Sequence, residues 1–182
     1  NTLHKKIGDR LKEQGGIIRQ LLVEQPTLIK MLLNRNLTRL VQYIDPNAFL
    51  VKAVFFNNAP TEAHYQNWHQ TECLAILSKE PNTSPEILPD EIVKNVFCIR
   101  IHLDDTEEGN GLQFVLPGSH NKRFTTEEIN LLSNNSHSYA PDLYSGTVLV
   151  MNALLLTSFS KPPSSKRRRM VHLEFTSSPL PD

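Results

Sequence analysis

A chain of 182 residues, 39% of them hydrophobic and 21% charged, is one domain's worth of ordinary globular sequence, which excludes a disordered or fibrous protein. No apolar run reaches the roughly 18 residues of a membrane span, and the opening stretch, which starts at Asn1 rather than Met as a trimmed chain would, holds no apolar signal core of about 7–15 residues. The formal charge sums to +0 but is spread as +5 over residues 1–44, −8 over 45–160 and +3 over 161–182, and the acidic middle disfavours a nucleic-acid binder.

The first 44 residues read as helices. Ile17, Ile18, Leu21 and Leu22 share one face at helical spacing, as do Met31, Leu32 and Leu33 with Leu37, Leu40, Val41 and Ile44, and Pro26 suits the first turn of a new helix. After Asp45-Pro46-Asn47 the texture changes to short, aromatic and β-branched runs bounded by turn residues. Strands are expected over 49–57, 96–103, 112–116, 146–156 and 168–175. In the second, Val96, Cys98, Arg100 and His102 face one way and Phe97, Ile99, Ile101 and Leu103 the other. The long apolar run Gly146–Leu156 reads as a central strand, and Thr125-Thr126-Glu127-Glu128 as a short helix start. No helical pattern separates the strands as repeated βαβ units would require. The fold class is therefore mostly β: an antiparallel sandwich or double-stranded β-helix (jelly roll) with N-terminal supporting helices. It forms a single domain over 1–182, with a helical layer over 1–45 and the jelly-roll core over 46–182. Cys73 and Cys98 cannot make a disulfide scaffold and read as buried thiols in a reducing compartment, so an intracellular, cytoplasmic location is expected.

Three windows could carry chemistry. Asn67–Glu72, "NWHQTE", places a histidine beside an aromatic on a strand, preceded by His64. A neutral imidazole there can be a metal ligand, and it can equally be a hydrogen-bonded, half-buried side chain. Gly109–His120, "GNGLQFVLPGSH", is a strand with tight turns at both ends. Leu154–Phe175 joins two strands through a Ser/Pro-rich loop, and Lys166-Arg167-Arg168-Arg169 opens the second. An arginine at a strand start can grip a ligand carboxylate with its two-pronged guanidinium. A solvated edge, or a nuclear-localisation or nucleic-acid patch, would show the same run.

The order of these motifs (W-H-Q, then R-I-H-L-D-D-T-E-E-G-N-G, V-L-P-G-S-H, a G-T-V-L strand, and R-R-R-x-V-H-L-E-F) resembles the phytanoyl-CoA dioxygenase family of iron(II)- and 2-oxoglutarate-dependent oxygenases, from about Phe49 to Leu180. The resemblance implies a jelly roll, Fe(II) held by an H-x-D/E motif and a later second histidine, 2-oxoglutarate as co-substrate, and a downstream arginine on its far carboxylate. Carried over residue by residue, His69 matches the first metal ligand, Thr71 stands at the carboxylate position and Thr157 at the second histidine. Arg168 takes the 2-oxoglutarate anchor. Arg169 is its rival, because alternation groups it with Val171, Leu173 and Phe175 on the apolar face, read as inward. Trp68 and Phe114 are the expected wall of the substrate pocket. Glu72, His64, His102 and His120 are the candidates for substitute ligands, although alternation turns Glu72 away from Thr71. The segment between Leu77 and Pro85 is short for the family, as if part of a substrate-covering loop were missing.

Two readings follow. The chain is a phytanoyl-CoA dioxygenase-like protein, ancestrally a hydroxylase of a small organic substrate, with a degraded metal site. Alternatively it is a catalytically inactive pseudoenzyme that binds a ligand or partner. A small-molecule substrate is the expected partner in the first case, with no membrane and no nucleic acid in either.

Overall fold

A computed structural model describes residues 16–58, 66–71, 74–75, 86–87, 89–106, 111–160 and 168–179. The N-terminal part carries a short strand β1 (Gly16–Ile18) and three helices, α1 (Leu21–Glu24), α2 (Pro26–Leu32) and α3 (Arg35–Ile44). Pro26 sits in the first turn of α2, where its missing N–H costs nothing. Asn34 caps α3, its side-chain oxygen accepting from the amides of Asn36 and Leu37 at 2.9 and 3.2 Å. Strands follow as β2 (Phe49–Asn58), β3 (Gln66–His69), β4 (Leu74–Ala75), β5 (Glu86–Ile87), β6 (Phe97–His102), β7 (Gln113–Val115), β8 (Val148–Asn152), β9 (Thr157–Phe159) and β10 (Arg168–Thr176), with helices α4 (Asp90–Val93) and α5 (Thr126–Asn135) between them. The expected helix start is present: Thr125 and Glu128 form a reciprocal capping box on α5.

Five strands make one antiparallel sheet in the order β1-β2-β10-β6-β8, three make a second in the order β3-β9-β7, and β4 pairs with β5. Side chains of β6 and β10 reach the ring of Phe159 on β9, so the larger sheets face each other as a double-stranded β-helix.

Both faces of the large sheet are covered along its inner strands β2, β10 and β6. Its apolar face (Ala53, Phe55, Phe97, Ile99, Ile101, Val171, Leu173 and Phe175) packs on Leu21, Leu28, Leu32, Leu37 and Val41 of the helices. Its other face, with Arg100, His102, Arg168, His172 and Glu174, is equally buried and belongs to the space between the sheets. The apolar face is thus not the barrel interior, which corrects the sequence expectation. Alternation separates the two sets of side chains, but the helical layer takes the greasy set.

The run 146–156 is not one central strand either. β8 lies at the edge of the large sheet with Val148 and Val150 exposed, and β9 is the middle strand of the small one. Between them the Asn152 side chain accepts from the Leu154 amide at 2.8 Å, a local turn that carries the chain from one sheet to the other. A second apolar cluster of Val93, Val96, Cys98, Met151, Ala153 and Leu154 packs beneath this crossing.

Candidate functional site in the barrel interior

β3 and β9 pair antiparallel with His69 opposite Thr157, and Val115 of β7 flanks Thr157 on its other side. His69 Nδ1 donates to the Asn67 carbonyl at 2.8 Å, which leaves Nε2 as the ring's acceptor nitrogen. Thr157 is fully buried, and its hydroxyl has no partner among the described residues. The backbone N–H of Thr71 donates to the Ala153 carbonyl at 3.0 Å. Between His69 and Thr71, the buried Gln70 side chain donates to the carbonyls of Leu154 and Lys122 at 2.6 and 2.8 Å and accepts from Phe124 N–H at 2.8 Å. That anchoring role was not read from the sequence.

The motif V-L-P-G-S-H acts on the same place. Ser119 Oγ donates to the Leu116 carbonyl at 2.7 Å and accepts from Leu156 N–H at 2.9 Å, fixing the residue just before Thr157. Gly118, at φ +84°, makes the turn that brings Ser119 back.

Of the two rival arginines, Arg168 is the one that enters the barrel. It is 3% exposed, its Nη1 donates to the Gly111 carbonyl at 2.7 Å, and its guanidinium carbon lies 4.2 Å from the Phe159 ring centroid. Its Nε has no partner among the described residues. Burial, and then the charge of Arg100, lower its pKa to about 10, so it is cationic at neutral pH. Arg169 points the other way: Nε and Nη2 donate to the two carboxylate oxygens of Asp104 at 2.9 and 2.7 Å, and its backbone N–H adds a third bond at 2.8 Å. Its expected candidacy as a 2-oxoglutarate anchor is therefore withdrawn; the fork is already closed on a carboxylate of the chain.

Arg100 was not singled out from the sequence as a site residue, yet it sits beside Arg168. Its guanidinium carbon is 5.5 Å from the same Phe159 centroid, and Nε donates to His172 Nδ1 at 3.2 Å. His172 Nε2 donates to Glu174 Oε1 at 3.0 Å, and Lys52 Nζ meets the same oxygen at 3.0 Å. Burial foremost, with the Arg100 and Lys52 charges, holds His172 neutral against the pull of Glu174. Burial alone would raise the Glu174 pKa, but the hydrogen bond and charge of His172 and the Lys52 ammonium outweigh it and keep the carboxyl ionised. His102 is fully buried, with Nε2 unpartnered among the described residues; burial and then the charges of Arg100 and Arg168 push its pKa down to about 4. Gln113, opposite Phe159, has both amide atoms unpartnered among the described residues.

Trp68 and Phe114 line one cleft of about 250 Å³ together with Asn67, Ser138, Ser158, Phe159 and Ser160. Phe114 pairs with Ser158, which alternates with Thr157 and Phe159, so these two side chains leave the small sheet on the face opposite Thr157. His120 is exposed in the turn after β7. His64, Glu72, Lys166, Arg167 and the short segment between Leu77 and Pro85 lie outside the described residues.

Among the described residues, the donor set around His69 does not fit ferrous iron. The inward position opposite His69 offers a neutral hydroxyl where imidazole is needed, and Thr71 offers no charge. Among the described residues, no group of three His, Cys, Asp or Glu could hold a metal ion.

No protein-family model and no curated protein matches the chain. Solved structures do. EctD from S. alaskensis with bound Fe aligns at TM-score 0.73 and 15% identity, over 96% of this chain and 66% of that one. HygX from Streptomyces hygroscopicus with nickel and 2-oxoglutarate bound aligns at TM-score 0.70 and 14% identity, over 96% and 76%. The non-heme alpha ketoglutarate dependent epimerase SnoN aligns at TM-score 0.70 and 13% identity, over 96% and 73%. Against EvdMO1 the chain spans only 37% of that protein's length. At this level of identity the likeness is one of fold, the double-stranded β-helix.

Proposed function

We propose that this chain is a phytanoyl-CoA dioxygenase-like member of the oxygenase fold that has lost its metal centre and works as a binding module for a small carboxylate. One observation carries the reading. Arg168 is buried and cationic, its Nε has no partner among the described residues, and it stands on the strand end to which the family resemblance assigns the 2-oxoglutarate arginine. A buried guanidinium with an unmade bond is costly unless an anion completes it. The loss of two ligand types at Thr71 and Thr157 supports a binding role over turnover, because His69 alone cannot hold a labile divalent ion against water.

The test is calorimetric titration of 2-oxoglutarate into the purified chain, with EDTA and, separately, with ferrous iron under anaerobic conditions, followed by a succinate assay in air. Binding without succinate formation is expected. Succinate formed in multiple turnovers would establish an oxygenase with substitute ligands; no binding heat in either buffer would remove the anchor role of Arg168.

A further inference from the structure

We infer that Arg100 is a second anion anchor, and that the barrel interior takes a small dicarboxylate held by an arginine at each end with no divalent metal between them. This rests on the reading of Arg168 proposed above and adds a second binding residue to it.

The argument is one of charge and unmet hydrogen bonds. Arg100 and Arg168 are 4% and 3% exposed, and their guanidinium carbons lie 5.5 and 4.2 Å from one ring centroid, so they are no farther apart than those two distances together. Each guanidinium keeps one nitrogen with no partner among the described residues, Nη1 of Arg100 and Nε of Arg168. The carboxylate that faces this space from the large sheet is Glu174, and its Oε1 is already shared by Lys52 and His172. Asp104 is closed on Arg169. Among the described residues, these two neighbouring buried cations thus have no carboxylate to themselves: Glu174 is held by Lys52 and His172, and Asp104 by Arg169. Like charges in a low-dielectric interior repel unless an anion intervenes.

The surroundings say which anion. Phe159 lies against both cations and offers an apolar surface to a short methylene chain. Gln113, beside Phe159 on the small sheet, has both amide atoms unpartnered among the described residues, and the neutral His102 stands on the large sheet facing it. Arg100 does not wander, because the bond to His172, itself held by Glu174, fixes its Nε. Two separate forks beside an apolar ring match two separate carboxylates better than one compact anion.

Titration of the full chain in EDTA decides it, with succinate, 2-oxoglutarate, butyrate and inorganic phosphate as probes. Succinate and 2-oxoglutarate should bind about tenfold or more tighter than butyrate, since the second carboxylate adds a second charge-assisted pair. Arg100→Met should cost succinate about tenfold more than it costs butyrate, which Arg168 holds alone. Unchanged succinate binding in Arg100→Met, or phosphate binding as tight as succinate, would overturn the second anchor while leaving Arg168 in place. Butyrate and succinate both indifferent to Arg168→Met would instead overturn the reading on which it rests. Should Arg100→Met fail to fold by circular dichroism, the wild-type ratio of succinate to butyrate affinity decides alone: equal affinities sink the proposal.

Discussion

Thr157 stands directly across from His69, β9 against β3, with its hydroxyl buried and without a partner among the described residues. Cross-strand neighbours in an antiparallel pair direct their side chains to the same face. The register therefore brings together the two positions that the motif order pairs as metal ligands, and fills one of them with a neutral hydroxyl.

The first expected outcome concerns this pair. The unmodified chain should lose ferrous iron on dialysis, measured as metal per chain by elemental analysis. Thr71→Asp with Thr157→His should retain it, and either change alone should retain less, because the ligands act as a set. Stoichiometric iron in the unmodified chain would mean that a residue outside the described ones, such as Glu72 or His64, completes a site.

The two arginines at the start of β10 should behave differently. Arg168→Lys replaces a buried fork by a point charge and should weaken 2-oxoglutarate binding by about tenfold. Arg169→Lys acts on the Asp104 pair at the other face. It should leave that binding within about twofold and cost up to about 1 kcal/mol of stability. Parallel calorimetry and urea unfolding of the two variants check both halves.

Acid should destabilise the protein earlier than ordinary carboxylate titration would. The folded-state pKa of His102 is lowered from 6.5 to about 4, so the unfolded chain takes up this proton first as pH falls. Its contribution is fully present above about pH 6.5 and is lost as pH drops through 6.5 toward 4, on the order of 3 kcal/mol by the end of that window. His172, also lowered, acts in the same direction, and Glu174, ionised through its partners, adds a further loss below its unfolded value of 4.5. Urea midpoints measured from pH 7.5 to 4.5 should slope downward, and His102→Gln should flatten that slope. An unchanged slope in the variant would remove His102 as the cause.

The helical layer should be required for the sheet. Leu32 and Leu173 are both fully buried in the cluster between them. Leu32→Ala or Leu173→Ala should each cost about 2–5 kcal/mol, read from the same urea curves. A loss under about 1 kcal/mol at Leu32 would mean that the sheet stands without its helices.

Much of the fold is local and therefore legible. Period-2 alternation marks β6 and β10, the aromatic and β-branched run after Asn47 marks β2, and Pro26 and Thr125–Glu128 announce two helix starts. Alternation also separates Arg100 and His102 from Ile99 and Ile101 in β6 without error. β3 and β9 were harder to see, because three- and four-residue strands show too little periodicity to stand out. The motif order singles out His69, Thr157 and Arg168; the register pairs the first two on the small sheet, and Arg168 reaches that sheet at Phe159 from the large one facing it.

What alternation leaves open is which buried face meets which partner. Pleating is a property of the strand, whereas burial depends on what the chain folds back against it. Here helices cover the apolar side and a second sheet covers the charged side, so the residues that look like a solvated face are the barrel interior. The same holds for Arg100. By itself it is one charge on a strand. Its role depends on His172 and Glu174 from β10 and Phe159 from β9, which lie about sixty to seventy-five positions later in the chain and meet it only in the folded molecule.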